Sequence, residues 1–372
     1  MKRPLSTSLL AAISLLLLLT LTSGTGGAST SKARQAKPHT LVTDTGPIRS
    51  FAQDAHSIAW IGSRYKVHVR SLSTGMSSVV GSAAPALGSG PAPILELADT
   101  RALWTRFEGG NSPETSLWTA ALGGSAEQIE LLVSYYPPVP GGDFLGGAAG
   151  DGPTLVYGQT SELCDPFYVE VDCKKLDVVG GGVSFVTGQY DQPPISHIPA
   201  PVMLAFAAHD PASGQISQGI LAVAPAASPL FTDLGNAPRV AADGPVEVFS
   251  QSVLLSAVSP TGWVRAIALD FHQLAVLVER TDGTKALERY DPTHGTLIAT
   301  TPVPKATAPQ LSVSSAGIVY RVGGKIYLLA KGAPRLVWKA SGTPIGLSIE
   351  GKRIAWAVDL KGHGRIVALT VR

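Results

Sequence analysis

Five carboxylates, Glu162, Asp165, Glu170, Asp172 and Asp177, crowd the stretch that also holds the only two cysteines, Cys164 and Cys173. Carboxylates at that density are the hard oxygen donors that a calcium ion gathers into a shell. The spacing matches no EF-hand, and Lys174 and Lys175 oppose a cation. A solvated, charge-balanced excursion is therefore the reading, with no metal assigned. The thiols are separated by eight residues. In an oxidising compartment such a pair closes a local loop, so a Cys164–Cys173 disulfide is expected. A zinc site would need four N or S ligands, and no Cys-x-x-Cys or close His is present.

Other chemistry is sparse. The eight histidines are His39, His56, His68, His197, His209, His272, His294 and His363, and most sit beside turn residues, as in Asp291-Pro-Thr-His-Gly295. Solvated turn histidines are the expectation, with His209-Asp210 read as the start of a matching Asp-Pro-x-x-Gly turn. No Gly-x-Ser-x-Gly elbow, Walker A loop, His-Glu-x-x-His helix or sialidase-type Asp box occurs. No catalytic residue, metal ligand or cofactor is assigned. Tyr135-Tyr136-Pro137-Pro138 places two rings in a connection where core packing does not demand them, with Phe144, Phe167 and Tyr168 nearby in sequence. The candidate recognition surface is Tyr135, Tyr136, Asp165, Phe167, Tyr168, Glu170 and Asp172, because a stapled excursion bearing aromatics presents a preorganised shape to a partner.

The elements that position these residues are short strands. Apolar runs of four to eight residues are punctuated by Gly, Pro, Asp and Ser; Gly and Pro number 40 and 28 among 372 residues, and 15% of residues are charged. Tyr65 to Arg70 alternates, as a half-buried strand does, while Leu274 to Val278 and Gly317 to Tyr320 are apolar throughout, as strands covered on both faces are. Inner-strand cores recur: Ser57-Ile-Ala-Trp60, Arg101-Ala-Leu-Trp104, Thr154-Leu-Val-Tyr157, Gln273-Leu-Ala-Val-Leu277, Gly317-Ile-Val-Tyr320 and Arg353-Ile-Ala-Trp356. Their aromatics are expected to pack between units. The pattern predicts an all-β chain folded as a β-propeller of four-stranded blades. First strands are expected from Ile48, Pro93, Asp143, near Val202, and from Val264, Gln310 and Pro344. That makes seven blades, six with a large insertion being the alternative. Thr40 to Thr43 is expected to supply the outer strand missing from the last blade, so that an N-terminal strand closes the ring.

Ser348-Ile-Glu-Gly-Lys-Arg-Ile-Ala-Trp356 resembles the Ser-x-Asp-Gly-Lys-x-Ile-Ala-aromatic repeat of the TolB-type, or WD40-like, bacterial propellers. Gln53 to Trp60 is a weaker copy, and Ser259-Pro-Thr-Gly262 echoes the turn one strand away. The resemblance implies the fold; TolB's separate N-terminal domain has no room here, and the Gly-His and Trp-Asp pairs of true WD40 units are missing.

At the N-terminus, Lys2 and Arg3 precede an apolar run from Leu9 to Leu21, then small residues to Ala28. This is the pattern of a secretory signal peptide, with cleavage near Ala28 and Ser29 and no lipobox cysteine. Residues 1–28 are the signal, 29–38 a flexible lead-in and 39–372 a single propeller domain. The run is shorter than a membrane span, so no transmembrane segment is expected after signal removal. Deleting the signal removes two bases and no acid, leaving 27 of each. No basic tract points to nucleic acid. The expectation is a secreted or cell-envelope, monomeric, non-enzymatic scaffold binding a protein or cell-envelope ligand through one propeller face. The alternative is a propeller hydrolase or lyase with a metal in the axial channel.

Overall fold

Side-chain alternation sets the strands. In Lys66–Ser71 every second residue (Val67, Val69, Ser71) is buried, whereas Gln273–Glu279 is buried throughout its middle, so both of its faces are covered. The structure, a computed structural model, describes residues 37–371 apart from 89, 91, 110–113, 136–140, 152–153, 162–173, 179–182, 188–201, 208–219, 226–229, 233–245, 251–252 and 271.

The strand β1 (His39–Thr43) is followed by seven blades in chain order. Blade 1 is β2 (Ser50–Gln53), β3 (Ser57–Ile61), β4 (Lys66–Ser71) and β5 (Ser77–Ser82). Blade 2 is β6 (Leu95–Ala98), β7 (Arg101–Gly109), β8 (Glu114–Ala121) and β9 (Glu127–Tyr135); blade 3 is β10 (Gly141–Asp151), β11 (Thr154–Ser161), β12 (Lys174–Val178) and β13 (Val183–Thr187). Two residue pairs between β9 and β10 join these two blades into one ribbon. Blade 4 holds β14 (Val202–Ala207), β15 (Ile220–Pro225), β16 (Leu230–Thr232), β17 (Val246–Ser250) and β18 (Val253–Val258). Blade 5 is β19 (Trp263–Asp270), β20 (Gln273–Glu279), β21 (Lys285–Tyr290) and β22 (Leu297–Val303); blade 6 is β23 (Thr307–Ser314), β24 (Gly317–Val322), β25 (Lys325–Leu329) and β26 (Arg335–Lys339). Blade 7 is β27 (Leu347–Glu350), β28 (Arg353–Leu360) and β29 (His363–Thr370), with β1 added outside β29.

The inner strands touch in sequence, β2 to β6, β6 to β10, β10 to β15 and β16, these to β19, then β23, β27 and back to β2, which makes the sheets a closed seven-membered ring, a β-propeller. Six sheets have their first strand where the sequence puts it. The sheet around Val202 departs: its order is β16-β15-β14-β17-β18, so β14 lies in the middle and β15 and β16 take the inner position. Val202–Ala207 and Ile220–Pro225 are both uninterrupted apolar runs, and composition does not say which of the two is central.

One register repeats around the ring. Phe51 pairs with Trp60, Leu95 with Trp104, Leu311 with Tyr320 and Leu347 with Trp356. Each of these aromatics packs on the preceding blade: Trp60 on blade 7, Trp104 on blade 1, Tyr320 on blade 5 and Trp356 on blade 6. Gly81 makes room for one of them, since a Cβ there would lie 2.3 Å from the Trp104 ring, whose Nε1 donates to the Ser82 carbonyl at 3.1 Å.

Five of the outer strands share a second feature. A one-residue register shift adds an extra aliphatic residue to each, opposite no single residue of the neighbouring strand: Leu41 in β1, Val80 in β5, Ile129 in β9, Ile298 in β22 and, at a bulge, Val337 in β26. Such bulges bend and twist an exposed edge away from pairing with another chain.

Closure is made twice. β1 pairs antiparallel with β29, and just beyond it Asp44 binds both sides of the joint. Its backbone N–H donates to the Gly364 carbonyl at 2.8 Å in blade 7, while its carboxylate accepts from Gly46 N–H (3.0 Å), Ser63 N–H (3.2 Å) and Trp60 Nε1 (2.9 Å) in or beside blade 1. The Trp60 ring lies flat on His68, its cross-strand partner, at 4.6 Å. The same carboxylate steadies the β3–β4 turn, where Arg64 and Tyr65 both take positive φ (55° and 58°), a conformation that costs non-glycine residues roughly 1–2 kcal/mol each. At the axis, Arg353 of β28 donates through Nε to Gln53 Oε1 (2.9 Å) and through its guanidinium to the Asp54 carbonyl of blade 1.

Burial would raise the Asp44 pKa, but hydrogen bonds from Gly46, Trp60 and Ser63 outweigh it and hold it below its usual 3.8. A depressed carboxylate gives stability that is present above the unfolded-state pKa and is lost as pH falls through the lower folded-state value. Asp44→Ala is expected to lower the unfolding free energy by about 1–3 kcal/mol, since it orphans buried donors. Urea titrations at pH 7 and pH 3 check this: the difference from the parent shrinks at the lower pH, and an unchanged midpoint at pH 7 rejects the lock.

Candidate functional site

Most of the recognition surface expected from the sequence lies outside the described residues: Tyr136, Asp165, Phe167, Tyr168, Glu170 and Asp172, with both Cys164 and Cys173. The expected signal, residues 1–28, and His197 and His209 lie outside them as well. Tyr135 is placed as the last residue of β9, paired with Gly141 at the join between blades 2 and 3.

The described histidines are turn and edge residues, as expected, with one exception. His294 sits in an exposed turn whose Asp291 accepts the Thr293 and His294 N–H groups at 2.8 and 3.0 Å, and His272 and His56 follow carboxylates that accept their backbone N–H groups. His68 is the exception. Burial lowers its pKa despite the Asp44 charge, and a neutral imidazole suits the stack on Trp60. No group of three or more His, Cys, Asp or Glu able to hold a metal occurs among the described residues.

The structure gathers polar side chains in two places that the sequence reading does not single out. The first is the end of the axis where first strands turn into second strands. Asp54 is 3% exposed, and its Oδ1 accepts the His56 and Ser57 N–H groups at 2.7 and 2.8 Å. Its Oδ2 and the Ser57 hydroxyl are buried without a hydrogen-bond partner. Asp54 and Ser57 take the same side as Ala52 and Ala59, which pack on blade 2, and Asp99 of blade 2 adds its charge to theirs. Asp99 itself turns at φ 55°. Burial, reinforced by Asp99, overrides the two backbone donors and raises the Asp54 pKa to about 6. Asp270 and Ser314 close the corresponding turns of blades 5 and 6 by accepting the N–H groups of His272 and Ala316. This position therefore has a structural function around the ring, and Asp54 differs in having one oxygen left over.

The second cluster is Glu288 of β21, fully buried, which accepts from Tyr290 Oη (2.6 Å), the Thr261 N–H (3.2 Å) and the Thr261 hydroxyl. Burial, then the bond to Glu288, pushes the Tyr290 hydroxyl well above its ordinary pKa. Thr261 belongs to Ser259-Pro-Thr-Gly262, so this buried carboxylate anchors the connection into blade 5.

No family model and no curated protein matches the sequence. Among solved structures, the chain is similar to the WD40 β-propeller domain of Doa1 (11% identity, 89% of this chain and 96% of that one, TM-score 0.47) and to the RRP9 WD40 repeats (11%, 90% and 97%, 0.48). It is also similar to the computationally designed Ika8 protein (13%, 87% and 83%, 0.44). The fold assignment rests on the sheet order, register and ring contacts above.

A carboxyl whose folded pKa is raised gives stability that is fully present below the unfolded-state value near 3.8 and is lost as pH rises through about 6. Asp54→Asn keeps an oxygen for the two backbone donors and removes the buried charge. It is expected to be more stable than the parent at pH 8, with the gap closing by pH 4. Thermal melts from pH 4 to 8 check this; parallel curves for parent and variant overturn the assignment.

Proposed function

We propose that this chain is an exported, non-enzymatic propeller that acts as a monomeric scaffold for a protein or cell-envelope ligand. The observation that carries the reading is the exposure of large apolar side chains on outer strands of an otherwise locked ring. Leu297 and Ile298 on β22 are 51% and 53% exposed, Val79 on β5 is 51% exposed and Leu336 on β26 is 46% exposed. Apolar side chains held outward on a rigid frame are the material of partner contacts. The rigidity comes from side-chain bonds between blades, such as Ser314 Oγ to the Gly351 carbonyl at 2.7 Å and Arg353 to Gln53. A preordered surface loses less conformational entropy when a partner docks. The TolB-type likeness of residues 348–356 supports an extracytoplasmic setting, as does the basic, apolar and small-residue order of residues 1–28.

Expression of the full chain in a secreting bacterial host is expected to deliver a soluble extracytoplasmic product whose first residue, by N-terminal sequencing, is Ser29 or a close neighbour. A variant lacking residues 2–28 is expected to stay inside the cell. A product that keeps Met1 and sediments with membranes would show that the segment is an anchor and would reject the exported scaffold.

A further inference from the structure

Blade 6 and its flanks form a long run of sequence with several bases and no acid. Residues 292–349 contain Lys305, Arg321, Lys325, Lys331, Arg335 and Lys339 and neither Asp nor Glu. The hairpins of this blade bring some of those bases together. Lys325 and Lys339 are direct cross-strand partners, both exposed, and neither has an ion pair among the described residues. Like charges directly opposite one another on neighbouring strands destabilise a sheet, a cost that an incoming anion relieves.

The pair stands at one end of the outer crevice between blades 5 and 6. On β25, Tyr327 packs toward blade 5, and strand alternation puts Lys325 on the same face; Leu336 pairs with Tyr327, and Lys339 with Lys325. On the opposite wall, Leu287 of β21 packs toward blade 6, and alternation puts Lys285 and Arg289 on its face. Lys285 confirms the direction by reaching the Thr307 carbonyl of blade 6 at 2.9 Å. Arg289 lies four residues along β21 from Lys285, about 13 Å away at the strand rise, and its Nε is buried without a hydrogen-bond partner. The crevice therefore has bases toward both ends and an apolar middle formed by Tyr327 and the half-exposed Leu336.

We propose that this crevice binds an extended acidic peptide segment of a partner protein, with two carboxylates four residues apart flanking an apolar side chain. One carboxylate meets the Lys325–Lys339 pair, and the other meets Arg289, whose guanidinium offers planar donors suited to a carboxylate. Four residues of extended chain span the same distance as Lys285 to Arg289. Recognition is by side chains, because the bulges at Ile298 and Val337 interrupt the ladder on both outer strands. The apolar middle is what favours a peptide over a featureless polyanion. The proposal rests on the scaffold reading and names a partner class for it.

The test is fluorescence anisotropy of the signal-free, full-length propeller with a labelled Glu-Thr-Leu-Thr-Glu peptide. Binding is expected to weaken as salt rises from about 50 to 300 mM, as screening requires. It is expected to fall about tenfold or more in Lys325→Glu, Lys339→Glu and Arg289→Ala, a loss of hot-spot size. Thermal melts select variants that remain folded, with Arg289→Gln as the milder replacement. Three results each overturn the proposal: no saturable binding, binding unaffected by all the variants, or equal affinity for Glu-Thr-Ser-Thr-Glu and for dextran sulfate, which reports charge alone. Any of them leaves the scaffold reading standing, since that fails on a membrane-retained N-terminus.

Discussion

A four-stranded sheet that is apolar on both faces is insoluble by itself, and two-sided burial is the constraint from which the rest of this molecule follows. Ala59 and Ile61 of β3 face blade 2 while Ile58 and Trp60 face blade 7, all of them buried. Such a strand needs a neighbour on each side, so a row of sheets can end only by meeting its own beginning. Second-strand aromatics fill four of the joints with large rings in one shared register, which keeps their spacing uniform. Closure then becomes the demanding step, because blades 1 and 7 lie 300 residues apart in the chain where Arg353 meets Gln53. The outer strand β1, the Asp44 network and the Arg353 fork together place hydrogen bonds at the joint from rim to axis. A long entropic loop is closed by many small bonds and one apolar cluster.

A ring solves burial and leaves the outer edges open. Five outer strands carry a bulge at an aliphatic residue, in the closure strand as well as in blades 1, 2, 5 and 6. The extra residue serves packing too, since Val80 and Val337 are buried. One local irregularity thus deepens the core and interrupts a pairing edge. This also decides the kind of recognition the surface can offer: bulged strands with outward Leu and Lys side chains suit side-chain docking better than strand addition.

Much of this was legible before any coordinates. The Ile-Ala-Trp run at 58–60 and its copy at 354–356 announce second strands because strand periodicity and aromatic placement are local properties. The likeness of Asp54 to Glu350 in the repeat holds in the register, where Asp54 meets Ser57 through a backbone bond and Glu350 pairs with Arg353. Blade 4 departs from the expected strand order because β14 and β15 are equally apolar, and pairing order between equals is a tertiary matter. The bulges were invisible: a single extra Val or Ile has no sequence signature of its own. The Asp44 lock was illegible for a different reason, since its partners Trp60, Ser63 and Gly364 are distant in the chain.

The basic crevice shows the same limit applied to function. Lys325 and Lys339 stand 14 positions apart, with Arg335 the only charged neighbour of Lys339 in the strand, so no window along the chain reads as a basic tract. Strand hairpins convert that dilute run into a local excess by setting position 325 against 339. Meanwhile the acids that could have neutralised it are committed elsewhere. Glu288 is turned to Thr261 and Tyr290, Glu279 to Arg265 and Lys285, and Asp54 and Asp270 to their own turns. These described carboxylates are committed to connections, turns and neighbouring bases. The charge that is left facing solvent on blade 6 is therefore positive even though residues 29–372 carry equal numbers of acids and bases. A propeller built this way gains a polar recognition surface from what its locks leave unpaired.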